Sequence, residues 1–248
     1  STTPVRTFED HNWAGPAFAV FPDRRRMVTS SVDNTLRIWD LETGEVLKKM
    51  EGHSRGVFAL AVSRDGQIIA SGNYGGELIA WHGETGESLA QPIKAHSNWI
   101  NSVDFSPDGT VLATGSGDDT VKFWCTKTWQ MQERVASFKG HTKSNRSLAW
   151  TPDGTRLLSA GEHDSTIREW NSSTWQQVGH PWEGHTSYIT AIAIDPTGTL
   201  VASASEDKHV RLWRLSDRRI IGIFEHSSPP NIVTFSFDGR HILSGGGD

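Results

Sequence analysis

The segment GHTSYITAIAIDPTGTLVASASEDKHVRLW, residues 184–213, contains the pattern that decides the fold of this chain. A histidine is followed by two apolar positions, a turn glycine, a strand with a serine, a turn aspartate and a tryptophan. The histidines that begin the copies of this pattern are His11, His53, His96, His141, His185 and His226. Their spacing of 41 to 45 residues indicates a small structural unit that is repeated six times.

Each copy has the features of four short antiparallel strands. Apolar residues seven and nine positions after the histidine, such as Ile192 and Ile194, have the two-residue period of a strand with one buried face. Five of the six copies have a glycine thirteen positions after the histidine, usually in a hairpin-turn segment such as Pro-Asp-Gly at 107–109. A tryptophan ends the third strand of five copies: Trp39, Trp81, Trp124, Trp170 and Trp213. Four strands in about 43 residues predict one blade of a β-propeller.

These residues resemble the WD40 repeat family over nearly the whole chain. The family's Gly-His pair stands at 52–53, 140–141 and 184–185, and its Trp-Asp pair at 39–40. Segment 86–109, GESLAQPIKAHSNWINSVDFSPDG, is similar to WD40 arrays of fungal and bacterial signalling proteins. In the family, a histidine, a second-strand Ser or Thr, the turn aspartate and the tryptophan form a hydrogen-bonded tetrad. The resemblance implies four tetrads here: His11–Thr29–Asp33–Trp39, His96–Thr114–Asp118–Trp124, His141–Ser159–Asp164–Trp170 and His185–Ser203–Asp207–Trp213.

The periodic histidines are therefore interpreted as structural residues. Buried imidazole and carboxylate groups need hydrogen-bond partners, which a tetrad supplies. Metal ligation or a catalytic dyad is the alternative, but histidines on separate blades do not converge on one centre. The second copy has Gly75 where the aspartate should stand, and we expect a looser turn there.

We predict one domain over residues 1–248, an all-β WD40 β-propeller with five complete four-stranded blades and an incomplete closing blade. The alternative to these six blade positions is a fragment of a seven-bladed ring. Residues 4–8 align with a fourth strand that would complete the closing blade, and Asp248 aligns with a turn aspartate. The chain begins with Ser1 rather than Met, and we expect a fragment or a processed form.

Composition argues against several classes of function. A net charge of -5 and a pI near 6.1 are not typical of proteins that coat nucleic acid or anionic membranes. The sequence has no apolar run of membrane length and a single cysteine, Cys125, which favours the cytoplasm, with the nucleus as the alternative. We find no catalytic or metal-binding motif and predict a protein without enzymatic activity, cofactor or metal. Cys125 is interpreted as a small packed hydrophobic residue rather than a nucleophile.

In the WD40 family, partners usually bind the top face around the central channel, and the resemblance implies the same here. Three positions in each blade point to that face: three and five residues after the histidine, and one before the turn aspartate. The larger or polar residues at these positions, called the top-face residues below, are Phe58, Tyr74, Trp99, Asn101, Arg146, His163, Tyr188, Thr190, Glu206 and Asn231. Aromatic side chains and arginine dominate binding hot spots, so we predict a scaffold or recognition module for a protein or peptide.

Two other ligand classes remain open. Arginines in turns of blades five, six and one are expected to form a basic bottom-face patch for an acidic, phosphorylated or RNA ligand: Arg24, Arg25, Arg26, Arg218, Arg219 and Arg240. The alternative is that these are ordinary solvated turn charges. Trp129, Trp175 and Trp182 would bind glycans by stacking if they are exposed, and the alternative for them is packing inside the repeats.

Overall fold

The structure, a computed structural model, divides into two compact units, Ser1–Phe105 and Ser106–Asp248. It describes residues 17–131, 141, 144–161 and 163–246. Within these ranges all regular elements are β-strands and there is no helix, which confirms the predicted all-β class. Accordingly, the described part of the chain contains no helix of the length and apolarity that a membrane span requires. His11, residues 4–8 and Asp248 lie outside the described residues, so ring closure and the single domain stay predictions.

The first unit consists of nine described strands. They are β1 (Phe18–Val20), β2 (Arg26–Ser30), β3 (Thr35–Asp40), β4 (Val46–Glu51), β5 (Val57–Val62), β6 (Ile68–Asn73), β7 (Glu77–His82), β8 (Ile93–Lys94) and β9 (Ile100–Phe105). Strands β1 to β4 form one antiparallel sheet in chain order, and β5 to β8 form a second. Each sheet has the size and order predicted for a blade.

The second unit consists of eleven described strands. They are β10 (Val111–Ser116), β11 (Val121–Cys125), β12 (Asn145–Trp150), β13 (Arg156–Gly161), β14 (Ile167–Asn171), β15 (Ile189–Ile194), β16 (Leu200–Ser205), β17 (His209–Arg214), β18 (Ile220–Glu225), β19 (Pro230–Phe235) and β20 (Ile242–Gly246). Strands β15 to β18 form a complete four-stranded sheet, β12 to β14 a three-stranded one, and β19 pairs with β20. The pair β10–β11 belongs to the third repeat.

Apolar side chains of consecutive repeats pack together to form the core of each unit. In the first unit, Val28 and Ile38 of one sheet cluster with Val57 and Ile69 of the next, and all four are almost completely buried. In the second unit, Trp213 shares a buried cluster with side chains from β12 to β16. Because each blade buries a face only against its neighbour, the repeats stabilise one another.

The turn glycines have the conformation that the pattern predicts. Their φ angles lie between 69° and 72°, in the left-handed region that a residue with a Cβ adopts at a cost. They are Gly66, Gly109, Gly154, Gly198 and Gly239.

The fourth strand is interrupted in two of the predicted complete blades. In the second repeat, Ser88 bridges to Trp81, and pairing resumes only at the two-residue strand β8. In the fourth repeat the pairing is reduced to two bridges, Trp170 with Gln177 and Ile167 with Trp182. A proline stands between the paired residues in each case, Pro92 and Pro181, and has no N–H to donate to the ladder.

Substitution of Gly72 by alanine tests how tightly the first unit is packed. A Cβ at this position in β6 would stand 2.5 Å from Cγ2 of Ile100. We expect Gly72→Ala to lower the free energy of unfolding by about 1–3 kcal/mol, because the core must shift to admit the methyl group. Urea denaturation measures the change.

Gly245→Ala is the matched control, since Gly245 stands at the corresponding position of the sixth repeat. Its nearest neighbour is Cγ2 of Ile232, 3.8 Å from an added Cβ, which is an ordinary contact. Equal effects of the two substitutions would contradict the packing explanation.

Candidate functional site

Three of the four predicted tetrads lie wholly within the described residues, and the fourth and fifth repeats have the complete set of contacts. In the fifth repeat, Oγ of Ser203 lies 2.7 Å from Nε2 of His185 and accepts the indole N–H of Trp213 at 2.8 Å. Nδ1 of His185 lies 2.8 Å from a carboxylate oxygen of Asp207.

The fourth repeat repeats this arrangement despite its one extra residue. Oγ of Ser159 lies 2.8 Å from Nε2 of His141 and accepts the indole N–H of Trp170 at 2.8 Å. Nδ1 of His141 lies 2.9 Å from Asp164.

In the first and third repeats, parts of the predicted tetrads are visible. The indole N–H groups of Trp39 and Trp124 donate to Thr29 and Thr114 at 2.7 and 3.0 Å. The turn aspartates Asp33 and Asp118 accept from the backbone and hydroxyl groups two residues later, at Thr35 and Thr120. His11 lies outside the described residues.

An arginine four residues after the turn aspartate extends the network, which the sequence analysis missed. Arg211 donates to Asp207 at 2.7 Å, while Arg37 and Arg168 approach Asp33 and Asp164 at 3.3 and 3.5 Å. Burial opposes ionisation of Asp207, but hydrogen bonds from His185 and from the Thr186 amide hold the pKa of this carboxyl well below its usual range. The four-residue spacing between the aspartate and the arginine could have predicted this contact. The aspartate stands on the turn and the arginine on the strand that follows it.

The second repeat replaces the missing aspartate by a different set of bonds. Oδ1 of Asn73 accepts the amide N–H groups of Gly75 and Glu77 at 2.8 and 3.0 Å, so the turn is not the looser one expected. The Glu77 carboxylate in turn accepts from Ser54 and from the side chain of Asn73. His53 still contacts Ser71 through Nε2 at 2.6 Å, but Nδ1 has no hydrogen-bond partner among the described residues. Burial lowers the pKa of His53 to about 4.

The first unit brings three top-face aromatic residues into contact. The rings of Phe58 and Tyr74 meet edge to face with centroids 4.0 Å apart, and Tyr74 stacks on Trp99 at 5.0 Å. Tyr74 is 38 % exposed, and Phe58 and Trp99 are half-buried. We call Phe58, Tyr74 and Trp99 the aromatic triad. Asn101, on β9, is half-buried.

The second unit contains a smaller cluster of top-face residues. The rings of His163 and Tyr188 have centroids 4.8 Å apart, and the carbonyl of Tyr188 accepts the amide N–H of Glu206 at 2.9 Å. His163, Tyr188, Glu206 and Asn231 are exposed, and Arg146 is half-buried. Thr190 differs from the expectation of a solvent-facing residue: it is 8 % exposed, because its hydroxyl donates to the carbonyl of Pro230.

A β-bulge explains how the position five residues after the histidine leaves the ladder. The residues on either side pair with the next strand, while the residue between them has no partner in the register. A bulge redirects a side chain locally and increases the strand twist. The bulged residues are Phe58, Arg146, Thr190 and Asn231.

Two members of the predicted basic patch are held within the fold. Arg26 pairs with Asp23 at 2.7 Å and lies over the ring of Phe21 at 4.3 Å. Arg218 donates to the buried carboxylate of Glu169 at 3.2 Å. The remaining members, Arg24, Arg25, Arg219 and Arg240, are exposed. The patch as a binding surface stays a prediction.

The three tryptophans considered for glycan binding are covered to different degrees. Trp182 is 3 % exposed and packs against Trp213, so it offers no stacking surface. Trp175 is half-buried and contacts Phe123 with ring centroids 4.0 Å apart. Trp129 is half-buried as well. Cys125, interpreted as packed, is only half-buried, and a hydrogen bond from Thr128 lowers the pKa of its thiol.

A family model for the WD domain, G-beta repeat, matches this chain over residues 2–40, 44–82, 86–125, 132–171 and 175–214. These five segments cover more than half of the chain, and each ends one residue after a strand tryptophan. The chain belongs to the WD40 repeat family. WD40 repeats generally act as protein-interaction scaffolds and are typically non-catalytic.

Curated relatives of this WD40 chain are WD-repeat proteins of greater length. A WD repeat-containing protein, SL1-17, from Schistosoma mansoni is 27 % identical over 201 residues, which are 80 % of this chain and 64 % of that protein. Protein hir1 of Schizosaccharomyces pombe is 29 % identical over 231 residues, covering 78 % of this chain and 24 % of its own length. Nuclear distribution protein PAC1 of Arthroderma benhamiae is 25 % identical over 275 residues, at 98 % and 59 % coverage. The chain therefore spans less than two thirds of each of these relatives.

The substitution Gly75→Asp tests the cost of the missing tetrad carboxylate. Burial keeps His53 neutral in the folded state, so unfolding takes up a proton between the folded pKa of about 4 and the unfolded value of 6.5. The stability contributed by neutral His53 is present above pH 6.5 and is lost as the pH falls toward 4, by about 3 kcal/mol in total. A carboxylate beside Nδ1 should reduce this loss, so we expect the stability gain of the variant over the wild type to grow as the pH falls from 6.5 toward 4.

Gly75→Asn is the matched control, because it adds the same volume without the charge. A Cβ at this position would stand 3.2 Å from Oδ1 of Asn73, so both variants require the same small adjustment. Melting temperatures at several pH values give the comparison. A pH-independent difference between Gly75→Asp and wild type would contradict the prediction.

Proposed function

We propose that this WD40 chain is a non-catalytic recognition module that binds a partner protein or peptide through its top-face residues. The observation that carries the proposal is the aromatic triad of the first unit, in which the exposed ring of Tyr74 contacts both Phe58 and Trp99. Family membership supports the general role of a protein-interaction scaffold. We place the protein in the cytoplasm, with the nucleus as the alternative.

The geometry of the aromatic triad favours recognition for an energetic reason. Phe58 stands in a β-bulge, Tyr74 follows β6, and Trp99 precedes β9, so all three positions are fixed by the sheet framework. Rings that already support one another lose little conformational entropy when a partner covers them. Tyr and Trp also have a polar group beside a large apolar face, which suits a surface that is solvated in the free protein and buried in a complex.

The partner is expected to have an apolar or aromatic anchor for the triad, with polar groups around it. Charged groups lie near the aromatic triad. The side chain of Arg55 lies beside Gly75, the residue after Tyr74, because a Cβ added to Gly75 would be 3.4 Å from it. The Glu77 carboxylate is held by Ser54 and Asn73 near the same turn. In the second unit, Tyr188, His163 and Glu206 supply a second mixed aromatic and polar set.

Quantitative affinity capture tests the proposal with wild-type protein and the variant Trp99→Ala. A specific partner should be recovered from the wild type and depleted from the variant. With the purified partner, we expect Trp99→Ala and Tyr74→Ala each to raise the Kd by about tenfold or more, the effect of an interface hot spot. Both variants should keep the melting temperature within a few degrees of the wild type, because their side chains are surface residues.

Phe237→Ala is the control, since Phe237 is 60 % exposed but is not a top-face residue. It should leave the Kd unchanged. If neither Trp99→Ala nor Tyr74→Ala changes the affinity for any partner of the wild type, recognition through the aromatic triad is wrong.

A further inference from the structure

The second unit contains a groove that the proposed top-face function does not use. It has a volume of about 440 Å³ and lies at the turns between first and second strands of the third and fourth repeats. Trp150 and Trp175 line it together with Asp108 and Asp153. The corresponding groove between the fourth and fifth repeats has about 520 Å³ and shares Asp153, but it is also lined by Arg156, Arg214 and several hydroxyl groups. The repeat thus produces the groove, and individual residues determine its chemistry.

The aromatic wall of the groove depends on a residue in an unfavourable backbone conformation. Trp175 has a φ of 56°, whereas the same position in the first two repeats is occupied by Gly44 and Gly86 at 79° and 73°. A residue with a side chain adopts this region at a cost that glycine avoids. The ring of Trp175 is fixed by contacts with Phe123 at 4.0 Å and Trp150 at 5.9 Å, the latter edge to face. Trp175, which is half-buried, and Trp150, which is 7 % exposed, therefore form one side of the groove, and Trp175 presents the larger accessible surface.

Two carboxylates on touching turns form the other side. An added Cβ on Gly154 would lie 3.5 Å from Cδ of Pro107, which shows that the turns carrying Asp108 and Asp153 are in contact. A hydrogen bond from Ser106 to Asp108, and one from Thr151 to Asp153, lower the pKa values of these carboxyls. Both are ionised at neutral pH, and no Lys, Arg or His is among the residues that line this groove in the described part of the chain.

We propose that this groove binds a small organic cation with an alkylated ammonium group. Indole rings attract a cation over their faces, and the exposed carboxylates of Asp108 and Asp153 add negative charge at the groove. Sugars suit the groove less well, because the carboxylate oxygens already accept hydrogen bonds from their own turns. Asp108 accepts from Ser106 and Thr110, and Asp153 from Thr151 and Thr155. An ammonium group with alkyl substituents needs charge and apolar surface rather than free acceptors.

NMR titration with tetramethylammonium chloride tests the proposal, with sodium chloride at equal ionic strength as the reference. To assign the indole N–H resonance of Trp175, the spectra of the wild type and Trp175→Gly are compared, because the variant lacks this resonance. In the wild type this resonance should shift saturably, and in Asp153→Asn the Kd should rise by about fivefold because half of the opposing charge is removed. Trp175→Gly should abolish the saturable shifts of the remaining groove resonances. It installs the residue that the first two repeats have at this backbone conformation, so the turn is retained.

Two matched variants control for changes in the fold. Trp129→Gly makes the same exchange at the same φ of 56° in the third repeat, but Trp129 does not line the groove. Asp65→Asn removes the turn carboxylate of the second repeat, which accepts from a hydroxyl two residues before it and an amide two residues after it, as Asp153 does. Both should bind tetramethylammonium as the wild type does.

Three results would overturn the proposal. They are the absence of a saturable shift in the wild type, an equal loss of binding in Trp129→Gly, and a saturable shift caused by a methyl glycoside but not by tetramethylammonium. Because the aromatic triad is unchanged in all these variants, the top-face function can fail or succeed independently.

Discussion

A single hydroxyl group joins the histidine to the tryptophan in each complete repeat, and the order of the blade depends on it. The indole N–H is only a donor, so the hydroxyl oxygen of Ser203 accepts from Trp213. Its own hydrogen is then available for Nε2 of His185, at 2.7 Å. When the hydroxyl donates there, the imidazole proton lies on Nδ1, which faces the carboxylate of Asp207 at 2.8 Å. In this arrangement the donors run from the core tryptophan to the turn.

The direction of these hydrogen bonds explains why the network is complete where the aspartate is present and incomplete in the second repeat. Where the aspartate is present, each donor has an acceptor, and burial of the polar groups costs little. Ser71 and His53 keep the first two steps, but Nδ1 of His53 has no acceptor among the described residues. Asn73 and Glu77 satisfy the turn instead, since they have side-chain groups that reach its amides. The hydrogen bonds of the turn and those of the histidine can therefore be satisfied separately. In this repeat the turn amides have acceptors, but Nδ1 of His53 does not have one among the described residues.

Sequence periodicity was sufficient to predict the first three strands of the repeat, the turn glycines and the serines of the network, because all are determined by position within a repeat of nearly constant length. Features that depend on contacts between side chains were not predictable in this way. Arg211 joins Asp207 across one turn, Thr190 is buried by a carbonyl forty residues away, and Trp182 is covered by Trp213. The bulge at Phe58 was also missed, since one extra residue in a strand leaves the alternation around it unchanged.

The residues of the hydrogen-bonded network and the residues proposed for recognition stand at different positions of the same repeat. The network residues keep their chemistry from copy to copy because each must satisfy a buried partner. The bulged position has no ladder partner, and it is Phe58, Arg146, Thr190 and Asn231 in the second, fourth, fifth and sixth repeats. The position after the third strand has the same freedom, since it is Gly44 in one copy, Trp175 in another and Arg218 in a third, all at positive φ. This turn position thus fixes the backbone conformation, but the side chain there can be absent, aromatic or charged. These two positions therefore contribute to the differences between the grooves and surfaces of this chain.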